Sequence, residues 1–399
     1  MRKKTMLIVQ GSLQAGGAEK AVVSLLNTIP KEQYDIDLML FSREGLFSDQ
    51  IPKWINIIDA PYPYNCLAHK PTDYNFFLRH NLFMWLKKIY RSYRAKHQKK
   101  IHLIQSLWKY WKHDIPMLQK QYDIAYGGQE GFCNYYIIDK VKANCKILWI
   151  HNDYEKIKYS DKFDQPYFQK ATIIATMSSE AQIILQKHFP ESADHIRCLE
   201  NITNGDMIWK MSNEPITNPM FKHSDGINII SVGRLAPVKA FDRAIQAASI
   251  LKQEQIKFQW TIIGEGPERT KLELLKQKLN VNEEVSLLGL QSNPYKYILQ
   301  ADMMVVSSNY EGKSIAIDEA QILGKPVITT NYPTAKDAVL SGKTGIICNM
   351  SPEAIAESIL LLYNDSTLYH NICQNLNSKK KGNVSEIIKY IEIFEKSTM

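Results

Sequence analysis

Glu311 and Glu319 enclose seven residues within the stretch YEGKSIAIDEAQILGKP, residues 310–326. Between them Gly312, Lys313 and Ser314 lead into the apolar spacing of Ile315 and Ala316, a pattern that predicts a helix N-terminus. Such a terminus offers unpaired amides and the positive end of the helix dipole, and so attracts anions. Two carboxylates beside an anion site raise the question of what they bind.

Two cations stand upstream. In ISVGRLAPVKAFDRAIQAASIL, Arg234 and Lys239 follow a β-branched run and precede a helical spacing. In WTIIGEGPERTKLELL, Gly264 and Gly266 again make a turn between strand and helix patterns. Two cations and several helix starts at one sheet edge suit a diphosphate; solvated loop cations are the other reading. Near the N-terminus, GSLQAGGAEKAVVSLL sets Gly16 and Gly17 before a helix, where a ligand or merely a neighbouring strand comes close. The glycines at 11, 16 and 17 do not form GxGxxG, so no dinucleotide fingerprint is read. His151 ends the apolar run ILWIH, at the edge where open α/β sheets bind ligands, although a lone histidine also serves structure. Asp35-Ile36-Asp37 is a DxD by letter. It lies in the period-two pattern YDIDLMLF, which favours a structural role, and no other cluster has metal-ligand spacing.

The elements that must carry these residues alternate. Strands are expected at 6–10, 35–41, 124–126, 147–150 and 172–177, then at 228–232, 260–264, 285–288, 303–307 and 327–330, with helical spacing between them. That alternation predicts parallel sheets covered by helices on both faces. The 399 residues predict two doubly wound α/β domains, 1–205 and 227–380. A polar linker is expected at 206–226, and an amphipathic helix in 381–399, crossing back to the first domain.

Composition is that of a globular protein, 45% apolar and 23% charged. The apolar run behind MRKKT is too short for a signal peptide, and no window approaches the roughly 18 apolar residues of a membrane span. Six scattered cysteines read as reduced thiols in a cytoplasmic protein. The net charge of +8 is unevenly spread, since residues 74–113 hold ten Lys or Arg, no Asp or Glu, and ten aromatics. As a helix this window sets Leu82, Trp85, Leu86, Ile89 and Tyr93 on one side and Lys87, Lys88, Arg91 and Arg94 on the other. Ile104, Leu107, Trp108 and Trp111 make a second stripe. Either stripe can pack on the sheet while the cations meet an anionic membrane surface. Nothing in the window reads as a nucleic-acid motif, and no nucleic acid is expected as a partner.

Taken in order, GGAE (16–19), SSEAQ (178–182), VGRLAPVK (232–239), IIGEGPE and YEG…DEA resemble the retaining glycosyltransferases of family four, with the GT-B fold. The resemblance implies two Rossmann-like domains facing across a cleft, and a hexose or N-acetylhexosamine moved from a nucleotide sugar, UDP-linked by expectation. The acceptor it implies is a lipid-linked saccharide or glycan in capsule, lipopolysaccharide or similar synthesis, at the inner face of the cell membrane. It assigns Arg234, Lys239 and the amides of Ser314, Ile315 and Ala316 to the diphosphate, and Glu319 to ribose hydroxyls. Glu311 is assigned to sugar or acceptor hydroxyls, Gly17 to a backbone closing over the donor, His151 to the transferred sugar, and Leu288–Leu290 to the base through main chain. The carboxylates would thus flank an anion site because the donor carries polyols on both sides of its diphosphate. No cofactor and no metal are expected. Lys313 stands where the family has an apolar residue, and Ala240 where it commonly has glycine. A sugar-nucleotide epimerase on the same fold and a basic nucleic-acid-binding protein are the competing readings.

Overall fold

The structure, a computed structural model, describes residues 2–14, 16–43, 45–64, 82–98, 101–216, 226–312 and 314–396. Lys313, residues 74–81 of the basic window and the side chains of Leu82 and Trp85 lie outside the described residues. Contacts divide the chain into two units, Met1–Ile202 with Ser385–Met399, and Thr203–Val384.

The first unit is built on strands β1 (Lys4–Gln10), β2 (Tyr34–Leu40), β3 (Asn56–Asp59), β4 (Gln121–Gly127), β5 (Lys142–Ile150), β6 (Ile173–Thr176) and β7 (Ile196–Cys198). They form one parallel sheet in the order β3-β2-β1-β4-β5-β6-β7. Runs such as MLIV and ILWI are buried on both faces, which is why these strands read as continuous apolar stretches. The strand order reverses between β1 and β4, and the carboxyl ends at such a switch point leave a crevice for ligands. The helix Ile387–Lys396 belongs to this unit. Phe394 meets the Tyr34 ring edge-on at 5.8 Å, and the Tyr390 hydroxyl donates to the Glu200 carbonyl at 3.0 Å.

The second unit carries β8 (Ile227–Val232), β9 (Phe258–Ile263), β10 (Val285–Gly289), β11 (Met303–Val306), β12 (Val327–Thr330) and β13 (Gly345–Cys348). Their order is β10-β9-β8-β11-β12-β13, again all parallel, with the switch point between β8 and β11. Two apolar clusters cover the two faces, one around Trp260 and Phe241, the other around Ile298 and Ile317.

Three features depart from the sequence reading. The short strands β3, β7 and β13 were not expected. The stretch taken for a linker contains the helix Gly205–Ser212: Asn204 caps it by accepting from the Met207 amide at 3.0 Å, and Ile208 packs into the second unit. The helix Leu82–Lys96 turns the opposite way from the expected packing. Lys88 is 3% exposed, and Lys87 and Arg91 pair with Asp114, while Leu86, Ile89 and Tyr93 face outward. The second stripe does pack: the helix Leu103–Trp111 buries Trp108 and Trp111 in the first core.

Candidate active site

The switch point of the second sheet explains the main constellation. β8 ends at Val232 and its loop runs through Arg234 to a 3-10 turn, Pro237–Lys239; β11 ends at Val306 and its loop runs to Glu311. Because the two strands are neighbours, their loops meet. The Lys239 ammonium lies 2.6 and 2.8 Å from the two Glu311 carboxylate oxygens. The Ser308 hydroxyl donates to the same carboxylate at 2.5 Å, and Thr334 donates to the Glu311 carbonyl at 2.8 Å. The turn bearing Lys239 is fixed in its own right. Asn309 donates its amide to Val238 (2.8 Å), Ser307 its hydroxyl to the Lys239 carbonyl (2.9 Å), and Arg243 its guanidinium to the Ser307 carbonyl (2.6 Å).

Gly264 and Gly266 set the height of the Arg234 loop. Gly264 has φ +150°, and a Cβ there would stand 1.9 Å from the Gly233 carbonyl oxygen; a Cβ on Gly266 would stand 2.3 Å from that of Leu235. Only glycine lets the two loops close. Arg234 is exposed, and its guanidinium has no partner among the described residues. Ser314 is the N-cap of the helix Ile315–Ile322 and makes no side-chain cap, which leaves the first-turn amides of Ile315 and Ala316 for another acceptor. Glu319 lies one turn further into this helix, 1% exposed, and accepts from the Tyr295 hydroxyl at 3.0 Å. Leu288 and Leu290 sit at the carboxyl end of β10, with Leu290 exposed. The second sheet thus gathers Arg234, Lys239, Gly264, Gly266, Glu311, Ser314, Ile315 and Ala316 around one edge. The sequence reading missed Ser307, Ser308, Thr334 and Arg243, small or helical residues with no distinctive spacing.

The first sheet's switch point carries a different set. Gly16 caps the helix Gly17–Thr28 in extended backbone, and the Glu19 carboxylate folds back over it, 2.1 Å from where a Cβ would stand. Burial, reinforced by the nearby Glu130 charge, raises the Glu19 pKa. His151 follows β5. Its ring stacks on Trp149 at 4.7 Å, and its Nε2 lies 3.0 Å from the Gly128 carbonyl oxygen. A carbonyl only accepts, so Nε2 carries the proton and Nδ1 is the acceptor of the neutral ring. Burial lowers the His151 pKa, partly offset by the Glu130 charge and the Gly128 carbonyl. Glu130, which the sequence reading passed over, accepts the His151 backbone amide at 3.0 Å and bonds the Asn152 amide. It ties the β4 loop to the β5 loop.

Asp37 of the DxD accepts from Lys120 (2.8 Å), Tyr122 (2.6 Å) and Asn56 (2.7 Å). Burial pushes its pKa up, and these donors outweigh burial, so the net shift is downward. Asp35 is exposed at the start of β2, so Asp37 alone of the pair is engaged in holding the strand. Among the described residues no group of three or more His, Cys, Asp or Glu could hold a metal ion.

Comparison with known proteins sharpens this geometry. Residues 214–379 match the family described as "Glycosyl transferases group 1". The chain is 30% identical over 220 residues to an uncharacterized glycosyltransferase of Methanocaldococcus jannaschii, covering 52% of this chain and 54% of that protein. It is 31% identical over 126 residues to the N-acetylgalactosamine-N,N'-diacetylbacillosaminyl-diphospho-undecaprenol 4-alpha-N-acetylgalactosaminyltransferase of Campylobacter jejuni, covering 31% of this chain and 34% of that one. The chain therefore spans about half the length, or less, of these curated relatives. The crystal structure of Anabaena HepE in complex with UDP-glucose superposes with a TM-score of 0.67 at 15% identity over 99% of each chain. That likeness shows the fold, the two doubly wound units of GT-B.

Proposed function

Because residues 214–379 match the family described as "Glycosyl transferases group 1", we propose that the chain is a retaining glycosyltransferase. It moves a hexose or N-acetylhexosamine from a UDP-linked donor to a lipid-linked saccharide in surface-polysaccharide synthesis. The observation that carries the reading is the meeting of Lys239 and Glu311 at the switch point, beside the free helix start at Ser314 and the unpartnered Arg234. UDP is favoured because HepE was captured with UDP-glucose. The lipid-linked acceptor is favoured by the relative whose name contains diphospho-undecaprenol.

As the acceptor's hydroxyl oxygen bonds to the anomeric carbon, the bond to the outer phosphate breaks; negative charge gathers on that phosphate, which takes up the acceptor's proton. Arg234, Lys239 and the amides of Ile315 and Ala316 hold that charge with donors fixed before reaction, the arrangement that most lowers such barriers. The Lys239–Glu311 pair holds the lysine and the carboxylate together until the donor arrives. The phosphates then draw on Lys239, and Glu311 is released to accept sugar hydroxyls. Glu319 takes the ribose hydroxyls, with Tyr295 fixing its carboxylate. His151, at the first unit's own switch point, offers Nδ1 as an acceptor for a hydroxyl. The protein's own cations take the place of a divalent ion, and the enzyme works at the cytoplasmic face of a membrane.

Titrating the full chain with UDP, UDP-hexoses and GDP-hexoses in EDTA, and following thermal unfolding, tests this. A ligand at about 100 times its Kd stabilises by about 2.7 kcal/mol. UDP compounds are expected to raise the midpoint and GDP compounds to leave it unmoved. No response to any nucleotide would remove the reading.

A further inference from the structure

We propose that the outer face of the helix Leu82–Lys96 docks on an anionic lipid surface with its apolar row foremost. Leu86 (51% exposed), Ile89 (36%), Tyr90 (60%) and Tyr93 (59%) stand at i, i+3, i+4 and i+7, which is one face of a helix. Ordinary surface helices bury that face. Here the opposite side is the buried one. Lys88 and Ala95 are enclosed, the Lys87 ammonium lies 3.0 Å from Asp114, and the Arg91 guanidinium joins the same carboxylate while covering the Trp111 ring at 4.8 Å. Isolated exposed apolar side chains need no explanation, but four in one row mark an interaction surface.

Charge decides between lipid and protein as the occupant. Arg94 and Lys96 are exposed and fall on the two flanks of the apolar row by the roughly 100° step, and His97 extends it, its ring 4.1 Å from Tyr93. Residues 82–96 contain no Asp or Glu, and Asp114 is already engaged by Lys87 and Arg91. An apolar stripe with tyrosines, rimmed by cations on both sides, is the composition of a helix lying in the headgroup layer. It lies on the surface and does not cross it: among the described residues no helix is long and apolar enough to span a membrane. The inference deepens the proposed function and rests on it for a purpose, the delivery of a sugar to a lipid-borne acceptor.

The test is co-sedimentation of the full chain with vesicles of phosphatidylglycerol and phosphatidylcholine, and with phosphatidylcholine alone. The variant Leu86→Ser/Ile89→Ser/Tyr93→Ser is expected to lose about tenfold or more in partitioning to the mixed vesicles, without a change in melting midpoint. Arg94→Gln/Lys96→Gln is expected to bind the mixed vesicles only as well as the neutral ones, and to lose sensitivity to salt. UDP binding, measured on the same samples, should be unchanged in both, so a failure of docking is distinguishable from a failure of the donor site. Vesicle binding undiminished by the serine substitutions would overturn the proposal. So would a wild-type chain that ignores vesicles and instead self-associates through this face, with association abolished by the same substitutions.

Discussion

Glu130 follows β4 and Glu311 follows β11, each just past the switch point of its sheet, and the two are held in different ways. Glu130 is engaged by an amide of the main chain and by Asn152, with His151 beside it. Glu311 is engaged by a lysine and a serine hydroxyl. The first edge therefore keeps net negative charge, from Glu19 and Glu130, around a neutral imidazole. The second pairs its lysine with Glu311 and sets the exposed Arg234 beside them. A ligand that is an anion flanked by hydroxyls suits the second edge; hydroxyls alone suit the first. The same sheet topology yields both because the topology fixes only where loops meet, and the residues at the meeting point fix the charge.

The sharpest way to break this comparison is to remove each cation of the second edge in turn. Arg234→Ala and Lys239→Ala are each expected to lower kcat/KM by about 10²–10³ if both serve the leaving phosphate. Stability should separate them. Arg234 has no side-chain partner to lose among the described residues, so its melting midpoint stays put. Lys239→Ala leaves Glu311, 10% exposed, with only Ser308 as a side-chain donor among the described residues. That costs about 2 kcal/mol, less than the ~3–5 of a fully buried pair because Lys239 keeps some solvent. Unchanged kinetics in either variant, measured alongside thermal melts, would return that residue to the class of solvated loop cations.

A smaller effect belongs to the first edge. Glu130→Gln keeps an acceptor for the His151 amide but removes the charge. The imidazolium form loses its anionic neighbour, so the His151 pKa, already lowered by burial, falls further. A reaction that needs the neutral ring then keeps its activity to lower pH, and the acid limb of the kcat profile moves to lower pH. Activity at neutral pH drops about tenfold as the β4 and β5 loops loosen. A profile identical to wild type would mean that Glu130 only braces the loop.

Much of this was legible in the chain. The central strands are long apolar runs, and their alternation with helical spacing predicts doubly wound sheets. Arg234, Lys239 and Glu311 stand at strand ends, where the pattern places loops. The missed strands β3, β7 and β13 are three or four residues long and lie at or near a sheet edge, where one neighbour suffices and the pattern has no room to show. Glu130, Ser308 and Thr334 act through partners remote in sequence, which spacing cannot reveal. The basic helix is the clearest case. Its period marks two faces, but which face turns inward depends on Asp114 and Trp111, contributed by the next segment. Glu319 differs again: its helix position was legible, its burial under Tyr295 was not. An alanine there would disturb packing as well as binding, so Glu319→Gln is the cleaner probe.

The smallest expected effect tests whether the turn bearing Lys239 is strained. Ala240 follows Lys239 with φ 46° and ψ 47°, the left-handed region, and is the N-cap of the helix Phe241–Gln253. An L-residue there costs about 1–2 kcal/mol because its Cβ approaches the following carbonyl. Glycine pays none of that. Two terms oppose the gain. Glycine has more freedom to lose from the unfolded chain, about 0.4–1 kcal/mol, and the Ala240 methyl is buried. Relief of the left-handed backbone is the largest of the three, so Ala240→Gly is expected to stabilise the second unit by about 0.5 kcal/mol, with kcat within twofold or so of wild type because the Asn309, Ser307 and Arg243 bonds still hold the turn. Denaturant unfolding of both proteins measures it. A lower midpoint in the glycine variant would mean that the packed methyl, and not the backbone, decides the residue at 240.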